Sequence, residues 1–174
     1  VSTSGSGANT AQTIGAVTMT ASVGGTTTLN FSGTNEIATG VLTANVIDAS
    51  GMTAQTTKTP TFTMNSAGVG VTTITGSDGD DTLRGDAAST INGGAGIDTI
   101  IGGTGNDTLN GGAGNDTITT NTGNDTVDGG AGDDVVNMDG NLTGDDTVAG
   151  GDGTDTIAID AAATAITAAG VSSF

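Results

Sequence analysis

From Gly93 to Asn137 the chain repeats every nine residues without a slip: GGAGIDTII, GGTGNDTLN, GGAGNDTIT, TNTGNDTVD, GGAGDDVVN. So short and strict a period leaves few folds open. A nine-residue unit cannot bury its own apolar residue, so each unit has to be covered by its neighbours in a stack. The common order within a unit is two glycines, a spacer, a glycine, a spacer, an aspartate, a spacer, an aliphatic residue and a spacer. Glycine permits the φ > 0 conformations of a tight turn. The threonine and aliphatic residue that follow suit a short strand. The pattern predicts a turn, a short strand, and a turn again.

Extending the frame gives nine units. Gly76–Arg84 (GSDGDDTLR) is the first. Gly85–Asn92 (GDAASTIN) is one residue short and lacks the aspartate. The five quoted units follow. Met138–Ala149 (MDGNLTGDDTVA) carries three extra residues, at Gly140–Leu142, and Gly150–Ala158 (GGDGTDTIA) is complete. The recurring aspartates are Asp81, Asp98, Asp107, Asp116, Asp125, Asp134, Asp146 and Asp155. The matching aliphatics, expected in the core, are Leu83, Ile91, Ile100, Leu109, Ile118, Val127, Val136, Val148 and Ile157.

A carboxylate at one fixed place in a glycine-rich turn, with backbone carbonyls free to point inward, is a ligand set for a hard cation. Ca²⁺ takes six to eight such oxygens. The candidate metal ligands are therefore the eight aspartates together with the turn glycines Gly79, Gly94, Gly96, Gly103, Gly105, Gly112, Gly114, Gly123, Gly130, Gly132, Gly144, Gly151 and Gly153.

This half of the chain resembles the RTX β-roll of secreted bacterial proteins. The resemblance implies an all-β fold, a parallel β-roll or β-solenoid whose coil takes two units, so that successive turns alternate between two edges. It implies a Ca²⁺ between turns i and i+2 on each edge. One edge would hold Asp81, Asp98, Asp116, Asp134 and Asp155, and the other Asp107, Asp125 and Asp146. That arrangement implies about six calcium ions.

Charge agrees with this expectation. The formal net charge is −17, and 17 of the 19 acidic residues are aspartates between Asp78 and Asp160. Lys58 and Arg84 are the only bases. A solvated acidic linker would use glutamate freely and show no period. Without a cation the like charges repel, so the metal-free repeat is expected to be largely disordered. Nucleic acid and anionic membrane are poor partners for this surface. No window reads as a membrane-spanning helix or a signal peptide.

Residues 1–75 carry a different signal. Alternation marks Val17–Thr20, Thr28–Ser32, Thr61–Asn65 and Val71–Thr75, with an apolar run at Val41–Ile47 and a turn at Asp48–Gly51. This reads as irregular solenoid rungs or a small β domain that runs into the first nonapeptide without a linker. Met19, Met52 and Met64 read as core filler, and Pro60 stands just before a strand, where its missing N–H costs little. Residues 76–158 form the roll. Residues 159–174, with the alanine-rich Ala161–Ala169, are expected to cap it or to begin a further segment.

The chain has no histidine and no cysteine, which removes Ser-His-Asp and Cys-His catalysis. It has no GxSxG elbow and no P-loop. No enzymatic activity is expected. The β-roll, the Thr/Ala/Gly/Ser-rich β region and the near absence of lysine resemble RTX-type surface-layer (S-layer) proteins exported by type I secretion. That likeness implies a secreted structural segment at the cell surface, binding calcium and associating with itself or with other surface components. The same repeats also serve RTX enzymes, toxins and adhesins as calcium-dependent folding and secretion modules.

Overall fold

In each unit a turn is followed by a β-branched residue, threonine or Val135, and then an aliphatic residue, and the strands fall there. The structure, a computed structural model, describes residues 18–21, 27–33, 37–41, 46–52, 62–65, 72–139, 142–159 and 171–172. Its strands alternate between two sheets. The first sheet contains β1 (Thr18–Ala21), β2 (Thr27–Gly33), β4 (Val46–Met52), β6 (Thr72–Thr75), β8 (Ser89–Ala95), β10 (Thr108–Ala113), β12 (Thr126–Ala131), β14 (Thr147–Asp152) and β16 (Val171–Ser172), in that spatial order. The second runs β3 (Ile37–Val41), β5 (Phe62–Asn65), β7 (Thr82–Arg84), β9 (Thr99–Thr104), β11 (Thr117–Thr122), β13 (Val135–Asn137) and β15 (Thr156–Ala158). Neighbours are parallel throughout except β1 with β2, which is antiparallel. The chain is thus an all-β parallel solenoid.

Register stacks the core. In the first sheet Leu29, Ile47, Ile74, Ile91, Leu109, Val127 and Val148 stand over one another. In the second the column is Leu83, Ile100, Ile118, Val136 and Ile157. All are buried except Ile157, which packs partly against the cluster. Each buried side chain of this size contributes roughly 1.5–3 kcal/mol. Every nonapeptide aliphatic predicted as core from the sequence lies in these columns.

The short second unit and the long eighth unit leave the columns intact. Ile74 pairs with Ile91 across the first, and Val127 with Val148 across the second. Length differences fall in the turns, and one residue of the insertion, Leu142, is buried in the core.

One expectation needs correction. Asp48–Gly51 is not a turn between strands but lies inside β4. Asn30 pairs with Asp48 while Ser32 pairs with Gly51, so β4 carries an extra residue as a bulge. Asp48 Oδ1 accepts the Ser50 N–H (2.9 Å) and hydroxyl (2.6 Å), so turn chemistry here serves the bulge. Of the apolar run Val41–Ile47, residues 42–45 lie outside the described residues. Val41 ends β3, a strand absent from the sequence reading, and Val46 begins β4. Met52 is buried as expected. Residues 1–17 and the alanine-rich Ala161–Ala169 lie outside the described residues, as do Pro60 and the side chains of Met19 and Met64.

Candidate metal centre

Turns from the first sheet to the second form one edge: Gly76–Asp81, Gly93–Asp98, Gly111–Asp116, Gly129–Asp134 and Gly150–Asp155. Turns back to the first sheet form the other: Gly85–Ser89, Gly102–Asp107, Thr120–Asp125 and Met138–Asp146. The aspartates divide between the edges as the resemblance implies, and seven of the eight are at most 3% exposed. Asp155, at the last turn, is half-buried.

A buried carboxylate is costly unless its oxygens find donors. One oxygen of seven of the eight does so across coils. Asp98 Oδ1 accepts the Asp81 N–H (2.7 Å), Asp116 Oδ1 that of Asp98 (2.8 Å), Asp134 Oδ1 that of Asp116 (2.7 Å), and Asp155 Oδ1 that of Asp134 (2.9 Å). On the other edge Asp107 accepts from Ser89, Asp125 from Asp107, and Asp146 from Asp125, at 2.7–2.9 Å. Ser89, which stands at the ligand position of the second unit, therefore keeps the ladder by its backbone while its hydroxyl donates to Ala87 O (2.7 Å).

The other oxygen behaves differently. Oδ2 of Asp98, Asp107, Asp116, Asp134 and Asp155 is buried and has no hydrogen-bond partner. A Cβ added to Gly111 would meet Asp116 Oδ2 at 2.5 Å and would also fall on Gly129 O. Gly93 stands in the same relation to Asp98 Oδ2 and Gly111 O, and Gly129 to Asp134 Oδ2 and Gly150 O. The bare Cα of each first glycine thus leaves a cradle where a carboxylate oxygen and the next coil's carbonyl oxygen converge. Among the described residues no three acidic side chains gather at one point. The donor set is one carboxylate per turn with backbone carbonyls, all hard oxygens of the kind Ca²⁺ takes. These residues fit the ion, and a bound Ca²⁺ supplies the positive charge that the partnerless oxygens lack.

Burial also disturbs proton affinity. It raises the carboxyls of Asp98 and Asp107 to about 7 and that of Asp116 to about 6. The cross-coil N–H from Asp81, Ser89 or Asp98 pulls the other way, and neighbouring aspartates push up further. Asp125 and Asp134 are raised for the same reasons. A bound cation inverts this tendency.

The glycines singled out from sequence divide by role. Gly94, Gly96, Gly103, Gly105, Gly112, Gly114, Gly123, Gly130, Gly132, Gly151 and Gly153 have positive φ, whereas Gly79 and Gly144 do not. A Cβ on Gly112 or Gly114 would fall on the carbonyl oxygen of Gly94 or Gly96 in the preceding coil, so these positions permit close backbone stacking. The glycines that shape the cradles (Gly93, Gly102, Gly111 and Gly129) were missed. Their signal was the doubled glycine, since a left-handed turn position alone needs only one. A second ladder was also missed. Asp80 Oδ1 accepts from Ile97 N, Asn106 from Asn124, Asn115 from Asp133, and Asp133 from Thr154, at 2.8–3.0 Å. The spacer before the ligand position therefore ties exposed coil to coil.

The family of the RTX calcium-binding nonapeptide repeat matches in four copies, at residues 66–89, 85–118, 110–140 and 142–158, together more than half of the 174 residues. The chain belongs to the RTX calcium-binding repeat family. No curated protein and no solved structure matches it significantly. The RTX repeats thus make a calcium-binding β-roll, and the carboxylate oxygens without a partner lie in its turns.

Proposed function

We propose that this RTX roll is a structural calcium-binding segment of a secreted bacterial surface-layer or extracellular matrix protein, which folds and assembles on binding Ca²⁺. The observation that carries the metal dependence is the set of buried, partnerless oxygens on Asp98, Asp107, Asp116, Asp134 and Asp155. They support five cations, against the six or so implied by the resemblance. The structural role is supported by the continuous solenoid, in which strands of residues 18–75 add to the same two sheets as the repeat. It is also supported by a composition without histidine or cysteine, and by carboxylates engaged in ladders rather than in acid–base pairs. On this reading the chain is not an enzyme and works outside the cell. There millimolar calcium closes turns that stay open during export.

The test is electron microscopy and light scattering of the purified chain in chelator and in millimolar calcium. Ordered arrays that form with calcium and disperse with chelator are expected. A chain that folds with calcium but stays monomeric at every concentration would contradict the surface-layer role and favour a folding module of a secreted enzyme, toxin or adhesin.

A further inference from the structure

Two aspartates in ladder register with the others differ at their second oxygen. Asp81 Oδ2 accepts the Ser77 N–H (2.6 Å) and the Ser77 hydroxyl (3.0 Å), and that hydroxyl also reaches Asp81 Oδ1 (3.1 Å). Asp146 Oδ2 accepts the Thr143 N–H (2.6 Å) and hydroxyl (3.1 Å). Each hydroxyl oxygen also accepts an amide two residues on, from Gly79 (3.2 Å) and Asp145 (3.3 Å). The two turns arise independently. Ser77 precedes its aspartate by four residues and is buried, while Thr143 precedes its own by three, follows the insertion and is exposed. In the complete turns on the Asp81 edge, the residue matching Ser77 is Gly94, Gly112, Gly130 or Gly151, at φ 109–114°. There the carboxylates of Asp98, Asp116, Asp134 and Asp155 keep a partnerless oxygen.

We propose that Ser77 and Thr143 stand in for a cation, closing the turns of Asp81 and Asp146 by hydrogen bonds alone. The roll then carries two metal-independent turns at fixed places in a calcium-dependent stack. The chemistry is the same in kind: an N–H and an O–H place partial positive charge on the oxygen that elsewhere awaits Ca²⁺. The surroundings at Asp81 are otherwise those of a cradle, since a Cβ on Gly76 would meet Asp81 Oδ2 at 2.6 Å and fall on Gly93 O. What differs is the residue after that first glycine. Ser77 lacks the positive φ of its glycine counterparts, and its amide points at the carboxylate. The inference rests on the calcium reading above and refines where the ions go.

The experiment counts calcium ions by native mass spectrometry on the full chain and on Ser77→Gly, alongside amide hydrogen exchange of the parent in chelator. Ser77→Gly is expected to bind one ion more than the parent. In chelator the amides of Ser77 and Thr143 are expected to exchange at least tenfold more slowly than those of Gly94 and Gly130. Ser77→Ala, which keeps the amide and loses the hydroxyl, serves if the glycine variant does not fold; it is expected to lose that protection at Ser77 while Thr143 keeps it. An unchanged ion count in a folded Ser77→Gly, or equal exchange at the four amides, overturns the proposal while leaving the calcium reading intact. A parent that binds no calcium overturns both.

Discussion

The two edges of the roll share a register and differ at the position that opens each turn. On the edge of Asp98, Asp116 and Asp134 each turn opens with glycine, at Gly93, Gly111 and Gly129. On the other edge the same position reads Gly85, Gly102, Thr120, Met138. Thr120 and Met138 are fully buried, with Thr120 Oγ1 3.8 Å from Met138 Sδ, and Leu142 is buried in the same core. One edge keeps its turns open for a cation; toward its C-terminal end the other fills them with side chains. The residue that opens the turn sets whether there is room beside the carboxylate or the space is filled by a side chain.

The sharpest way to break this comparison is to remove one aspartate from each edge. Asp116→Ala deletes a partnerless oxygen and the acceptor of the Asp98 N–H. The calcium midpoint for folding is expected to rise at least tenfold, about 1.4 kcal/mol. Asp125→Ala, in the turn that opens with Thr120, removes the acceptor of the Asp107 N–H and is expected to shift the midpoint much less. Equal shifts in a circular-dichroism titration would erase the distinction between the edges.

Met138→Ala tests the filled edge. Emptying this fully buried site is expected to cost about 2–5 kcal/mol in denaturant melts at saturating calcium. The ion count should stay the same. A variant that gained an ion would show that the methionine displaces a metal rather than replacing one.

The carboxyl pKa is raised on both edges alike. Asp98 and Asp107 titrate at about 7 in the fold against an ordinary 3.8, because burial penalises the charged form. The metal-free fold therefore holds protons that the unfolded chain has released. In chelator its stability is expected to fall as pH rises from about 4 to about 7, while calcium affinity rises over the same window. Thermal melts in chelator at the two pH values check the first trend. A flat profile would mean that the carboxylates are not buried without metal.

The smallest effect is expected at Asp133. From sequence it is an exposed spacer, yet its Oδ1 accepts the Thr154 N–H at 2.9 Å. Asp133→Ala should cost no more than about 1 kcal/mol in a denaturant melt, as an exposed hydrogen bond does. A loss matching that of Asp116→Ala would place the ligand register one residue out.

What was legible in the sequence was whatever repeated. The core aliphatics from Leu83 to Ile157 follow from the nine-residue period, while the sorting of the aspartates onto two edges follows from the two-unit coil that the resemblance implies. Features that depend on non-periodic neighbours were not legible. Asp48–Ser50 has turn composition, and only its pairing with β2 shows a bulge. Asp81 and Asp146 look like the other ligands. It takes the Ser77 and Thr143 donors, seen in three dimensions, to set them apart. Thr120 and Met138, where other units have glycine, were visible as letters, but their meaning required knowing that a Cβ added at Gly93, Gly102, Gly111 or Gly129 meets the carboxylate of its own turn.

The most direct measurement is a calcium titration followed by far-UV circular dichroism, with magnesium as the control. Buried oxygens that lack donors need a cation, and Mg²⁺ fits a flexible carbonyl cradle poorly because it demands near-ideal octahedral geometry and gives up its waters reluctantly. A cooperative gain of β structure with calcium, absent with magnesium, is the predicted result. The same full β spectrum in chelator at neutral pH would contradict it, since the fold would then hold its buried carboxylates without a metal.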